Sequence, residues 1–201
     1  MGKLDERSVL RLLIKHMQHS IQPKMEFWPN YTINLKKVFP REPEIDLIFC
    51  NNEDGKKKPP VFAAELKYFR SMNSGRVNIS YYSGLDEALA LLAYGFDKVI
   101  LIHIFEETLF SRVSHNYAEV LSGMVTELGL PIGYRTYTLK ESDQPQIYYK
   151  DTLMGSGYEY NLIDLRREPP KNPLLSISNQ IGSLARKNRT LLMGALGIES
   201  P

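Results

Sequence analysis

The chain has 201 residues, 43% hydrophobic and 24% charged, enough for one domain with a substantial core and unlike a disordered or low-complexity chain. No apolar run approaches the roughly 20 residues that cross a bilayer, and charges interrupt MGKLDERSVLRLL where a secretory h-region would lie. The single Cys50 excludes an internal disulfide framework and a four-cysteine metal site, so a cytoplasmic protein is expected, and the net charge of +2 does not by itself announce a nucleic-acid binder.

In chain order, residues 5–19 place Val9, Leu10, Leu13, Ile14 and Met17 on one helical stripe, with Asp5 or Ser8 able to cap its start. Aromatic and β-branched residues in NYTINLKKVF predict a first strand near 31–39, and EIDLIFC predicts a second over 44–50. NNEDGKKKPP reads as a polar loop with an Asp-Gly turn signal. VFAAELKY then resumes as a strand over 61–68, which makes the pair a hairpin with a long tip. Residues 70–80, rich in Ser, Asn and Gly, read as a loop. LDEALALLAYG, 85–95, is a helix ending at a glycine suited to a left-handed cap. DKVILIHIF is a nearly continuous apolar run, as in a central strand covered on both faces. A helix after Ser114 runs to Gly129, IGYRTYTL and QIYYK are further strands, and SLARKNRTLLMGALGI forms a last helix. Helix, strand, strand, strand, helix, strand, helix, strand gives an α/β domain with a mixed central sheet flanked by helices.

The chemistry concentrates in AELK. Side chains alternate along a strand, so Glu65 and Lys67 share a face while Leu66 points away. The same rule puts Glu44 and Asp46 on one face of the preceding strand, with Ile45, Leu47 and Phe49 opposite. Pairing of the two strands would bring Asp46 and Glu44 across from Glu65. A hard cation such as Mg²⁺ takes a few carboxylate oxygens and keeps several waters, and there it makes a bound water more acidic. A lysine beside it can hold the attacking water or offset charge on phosphorus oxygens. An acid-x-Lys triplet also arises by chance about once or twice in such a chain. Asp54-Gly55-Lys56 is one, on a turn that fixes no side chain; Glu65-Leu66-Lys67 closes a strand, some twenty residues after an acid on its neighbour.

Those residues, Pro43-Glu44-Ile45-Asp46 and Val61-Phe62-Ala63-Ala64-Glu65-Leu66-Lys67, resemble the motif of the PD-(D/E)XK nuclease superfamily. The likeness covers roughly residues 5–105 and includes the helix, three strands, helix, strand order of the restriction-endonuclease-like core. The resemblance implies that Asp46, Glu65 and the backbone carbonyl of Leu66 bind Mg²⁺ or Mn²⁺ and that Lys67 positions the water. It also suggests Glu6 as an acid on the first helix, and Glu87 where some members carry glutamine. Pro43 stands three residues before Asp46 rather than next to it, a departure without chemical consequence.

The expectation is a metal-dependent nuclease hydrolysing phosphodiester bonds, with DNA as partner. Residues 1–165 would form the nuclease domain, and 166–201 a basic helical extension packed on it. Lys56, Lys57, Lys58, Arg70 and Arg76 would contact phosphates, as would the basic segment from Arg166 to Arg189. The alternative is a non-catalytic module that keeps the fold to bind nucleic acid or protein. A cut through both strands would call for a homodimer, for which the apolar LLMGALGI is the one hint of a surface. His103, alone inside a buried strand, reads as a core residue. Ser111, His115 and Cys50 form no nucleophile–base pair, and no Gly-rich phosphate loop supports ATP use.

Overall fold

The computed structural model describes residues 4–20, 24–36, 44–71, 82–109, 112–140, 142, 145–149 and 169–199. Helix α1 (Glu6–Ser20) leads into strands β1 (Met25–Tyr31), β2 (Ile45–Glu53) and β3 (Lys56–Phe69). Helix α2 (Leu85–Ala93), strand β4 (Lys98–Glu106), helix α3 (Arg112–Glu127) and strands β5 (Gly133–Lys140) and β6 (Gln146–Tyr149) follow, and helix α4 (Gln180–Leu196) comes last. The six strands lie side by side in chain order, β1-β2-β3-β4-β5-β6. β1, β2 and β3 are antiparallel neighbours, β3, β4 and β5 run parallel, and β6 returns antiparallel to β5. The parallel pairs are the ones joined through helices, as the crossover rule requires.

α1 covers one face of the sheet. Its stripe of Val9, Leu10, Leu13, Ile14 and Met17 packs on Phe49, Phe62, Leu66, Ile102 and Tyr137, each such side chain contributing roughly 1.5–3 kcal/mol on burial. The helix is capped by Asp5, whose Oδ1 accepts from Ser8 N–H at 2.8 Å. The other face carries α2, α3 and α4, where Leu91, Leu92, Leu121, Leu192 and Met193 enclose Ile48, Val61, Val99 and Leu101. β4 is buried along nearly its whole length, as its nearly continuous apolar run implies.

Three expectations change. The first strand lies at 25–31, not 31–39. β1 is the sheet's edge, where Pro29, which donates no hydrogen bond, costs nothing; residues 32–36 are irregular. The hairpin tip is short. Asp54 and Gly55 both adopt positive φ, 53° and 79°, the two-residue geometry of a type I′ turn, so Lys56 to Pro60 are strand. Most of the apolar C-terminal run is consumed internally: Leu192, Met193, Leu196 and Ile198 sit in this chain's own core, and of its large apolar side chains Leu191 stays exposed.

α4 is docked by polar groups as well. Asp97 bonds Arg189 through Nε at 2.7 Å and Nη2 at 3.3 Å, and its Oδ2 also accepts from Val61 N–H at 2.8 Å. The buried Asn188 side chain accepts from Lys36 N–H at 2.8 Å and donates to Lys36 C=O at 3.1 Å, as a neighbouring strand would. The buried Asn172 donates to the carbonyls of Leu92 and Phe96, holding the preceding segment to the end of α2.

Candidate active site

The β2–β3 ladder pairs Ile48 with Ala63 and Leu47 with Ala64, so continuing it sets Asp46 opposite Glu65. It stops there as a backbone ladder. Instead the Asp46 carboxylate accepts from Leu66 N–H at 2.7 Å. Two residues on, Tyr68 N–H, on the same edge of β3, donates to Glu6 on α1 at 3.0 Å. Beyond Ala64, two carboxylates thus take over from carbonyls the task of satisfying an edge that β2 has left. The departure also turns Ile45 from its expected face: it packs with Ile48 and Cys50, not with Leu47 and Phe49.

Leu66 points its side chain into the α1 layer, while Glu65 and Lys67 face α2. Lys67 Nζ lies 2.6 Å from Glu65 Oε1 and 2.7 Å from Glu87 Oε2 in the first turn of α2. Asp46, Glu65, Leu66 and Lys67 line one cavity of about 260 Å³, to which Glu6, Glu44 and Glu87 also contribute. The four residues of the sequence motif and the three accessory acids are therefore brought together. Glu44 stands at the rim, ion-paired with Arg7 at 3.0 Å.

The electrostatics follow from burial. Glu65 is only 4% exposed. Burial, reinforced by the Asp46 charge, lifts its carboxyl to about 9 against the pull of Lys67. Burial lifts Asp46 to about 6, the Leu66 N–H opposing and the Glu6 charge adding to it. Burial disfavours the Lys67 ammonium, but its bonds to Glu65 and Glu87 outweigh that and hold it above its ordinary value. Two desolvated carboxyls facing each other beside one already committed lysine form a site short of positive charge. Oxygen-only donors of this kind suit a hard divalent cation. Among the described residues no three His, Cys, Asp or Glu side chains close on one point. A cation would be held by Asp46, Glu65 and the Leu66 carbonyl with water completing its shell, the manner in which Mg²⁺ is usually kept.

The expected phosphate contacts are dispersed. Lys56, Lys57 and Lys58 sit at the tip of the β2–β3 hairpin, nine or more residues along the strand from Lys67, a separation of about 30 Å at 3.3 Å per residue. Lys57 donates to Leu196 C=O and lies over the Trp28 ring, and Lys58 pairs with Glu53. Arg70 donates to Leu4 C=O at 3.2 Å. Arg186 bonds the carbonyls of Leu175 and Ile177, and Arg189 is bound to Asp97 as described. Arg76, Arg166 and Arg167 lie outside the described residues.

Sequence reasoning passed over two lining residues, Arg7 and Asn30. β1 pairs Pro29 with Leu47 and Tyr31 with Ile45, which sets Asn30 opposite Asp46. Asn30 has φ of 48°, a left-handed conformation inside a strand. The Glu6-Arg7 pair at a helix start and the Pro-Asn step were the available signals. Behind the site lies the buried His103, in register with Lys67 on β4. Its Nε2 is 2.9 Å from Ser83 C=O, which can only accept, so Nε2 carries the hydrogen and Nδ1 accepts from Tyr134 Oη at 3.1 Å. Tyr117 Oη accepts from Ser83 N–H at 3.1 Å. His103 is a core residue, as its sequence setting predicted.

No family model matches the chain, and neither a curated protein nor a solved structure does. No helix among the described residues is long and apolar enough to cross a membrane.

Proposed function

We propose that this protein is a divalent-metal-dependent nuclease of the PD-(D/E)XK kind, its sheet and helices forming a restriction-endonuclease-like core, acting on the phosphodiester bonds of DNA. The observation that carries this reading is the meeting of Asp46 and Glu65 across β2 and β3, with Lys67 2.6 Å from Glu65 in the same cavity. Asp46 and Glu65, with the Leu66 carbonyl, hold Mg²⁺ or Mn²⁺. When bound, the ion supplies positive charge for a phosphodiester oxygen and acidifies a coordinated water. Lys67 would position an attacking water or offset charge on the phosphorus oxygens, and Glu87 steadies Lys67.

A second reading is favoured by one feature: Lys67 is neutralised by two acids at once, as in a site kept for structure inside a nucleic-acid-binding module. Cleavage of labelled plasmid and single-stranded DNA with Mg²⁺ or Mn²⁺ separates the two. The nuclease predicts metal-dependent cutting that Glu65→Ala and Lys67→Ala each reduce by at least about a hundredfold. Binding without cutting, equal in wild type and variants, would establish the module instead. Cutting both strands calls for two copies of the chain, which a gel-filtration mass in the same buffer checks.

A further inference from the structure

We propose that Arg7, with Asn30 in the same cavity, is the phosphate-anchoring subsite of this cleft, and that Glu44 holds Arg7 until a nucleic-acid phosphate replaces it. The proposal rests on the nuclease reading for its substrate class and adds the residue that seats the strand. The cavity is lined by five acids and two cations, Arg7 and Lys67, a balance that repels a polyanion. A bound divalent ion offsets part of that excess, and the remaining attraction has to come from a cation able to leave its present partner.

Lys67 is poorly placed for this, lying 2.6 Å and 2.7 Å from two carboxylates. Among the described residues Arg7 has one ion-pair partner, Glu44, at 3.0 Å, with the two side chains 64% and 60% exposed. An exposed pair of this kind is weak and readily exchanged. Its guanidinium is a planar fork that meets two non-bridging phosphate oxygens at once, which an ammonium cannot do. The base of Arg7 is fixed, because its neighbour Glu6 is bonded to Tyr68 N–H at 3.0 Å and ties the start of α1 to β3. Only the outer part of the side chain has to move.

Asn30 is the independent observation. It lines the same cavity opposite Asp46, at φ 48° within a strand. Asparagine tolerates that region better than other non-glycine residues, and retained backbone strain concentrates at ligand-binding positions. Its amide adds a neutral donor to the cavity that Arg7 lines, suited to a phosphate oxygen.

The test is binding of fluorescein-labelled single-stranded and duplex oligonucleotides by anisotropy with Ca²⁺, alongside cleavage with Mg²⁺ and calorimetric Mn²⁺ affinity without nucleic acid. Arg7→Gln should weaken oligonucleotide binding roughly tenfold, Arg7→Lys should recover only part of it, and Glu44→Gln should tighten binding. Mn²⁺ affinity and melting temperature should stay at the wild-type level in all three. Unchanged oligonucleotide affinity in Arg7→Gln overturns the subsite, as does a loss matched by an equal loss of Mn²⁺ affinity. Cutting with Arg7-independent affinity removes the subsite and keeps the nuclease. Arg7-dependent binding without cutting keeps the subsite and removes the hydrolase, while wild type that neither binds nor cuts removes both.

Discussion

His103 shows how one buried side chain sets the site's background. Its ring bridges Ser83, just ahead of α2, and Tyr134 on β5, so β4, β5 and the α2 entrance share one anchor directly behind Lys67. Burial pushes its pKa down to about 4 against the Ser83 hydrogen bond, the Lys67 charge acting with burial. The unfolded chain therefore binds a proton near the ordinary histidine value, about 6.5, while the folded chain does so only near 4. Over that window the unfolded state holds more protons, so this residue's contribution falls as pH falls, by about 2 kcal/mol between roughly pH 7.5 and pH 5. Asp46 and Glu65, raised by burial, act in the opposite direction, since the folded state keeps their protons longer as pH rises. That opposing slope is common to wild type and His103→Gln and cancels in their difference. Urea unfolding at both pH values should show wild-type stability falling relative to that of His103→Gln on acidification. Equal slopes would mean that the imidazole takes up its proton in the folded state at the same pH as in the unfolded chain.

At the scale of elements, the placement of α2 makes the site. Gly84, immediately ahead of the helix, has φ 77°, and a Cβ built on it would lie 3.0 Å from Leu101 Cδ1, 3.1 Å from Lys67 Cε and 3.2 Å from Glu65 Cγ. The helix entrance is thus packed directly on the two residues whose chemistry is proposed. Gly84→Ala should cost about 1–2 kcal/mol from the left-handed backbone alone. It should also push Lys67 and Glu65 aside, so that cleavage falls more steeply than stability does. Melting curves and cleavage rates compared with Glu87→Gln check this, and a Gly84→Ala protein cutting at the wild-type rate would show that α2 does not set the lysine. Much of this level was legible in the sequence. The α1 stripe, the apolar run of β4, and the strand pair carrying Asp46 and Glu65 rest on periodicity and alternation, which are local. The shift of β1 and the strand character of Lys56–Pro60 were not legible, because an edge position and a tight Asp-Gly turn override the ordinary reading of proline and lysine. Asp46 and Glu6 capping the N–H groups of Leu66 and Tyr68 could not be read either, since the contacts span 20 and 62 residues.

Across the whole molecule, the C-terminal helix closes the layer that holds α2, and Gly95 is where the two meet. A Cβ on Gly95 would come within 2.6 Å of Arg189 N and 3.1 Å of Arg189 Cα, both backbone atoms of α4 that have no rotamer with which to yield. Its φ of 89° adds a second cost to any side chain. The same crossing brings Arg189 onto Asp97, which also accepts from Val61 N–H at the middle of β3. Lifting α4 would leave a partly buried carboxylate without its guanidinium and uncover Leu192, Met193 and Leu196 together. Gly95→Ala should therefore destabilise the protein by about 3 kcal/mol or more, within the range of overpacked and charge-orphaned cores. Arg189→Ala removes only the ion pair and should cost less. Urea unfolding of both variants measures the ordering, and hydrogen exchange should show the α4 amides losing protection first in Gly95→Ala. A Gly95→Ala protein as stable as Arg189→Ala would mean that the α4 backbone can shift by the missing distance without releasing its apolar face. The helix would then be a loosely seated cover rather than part of the frame that positions α2.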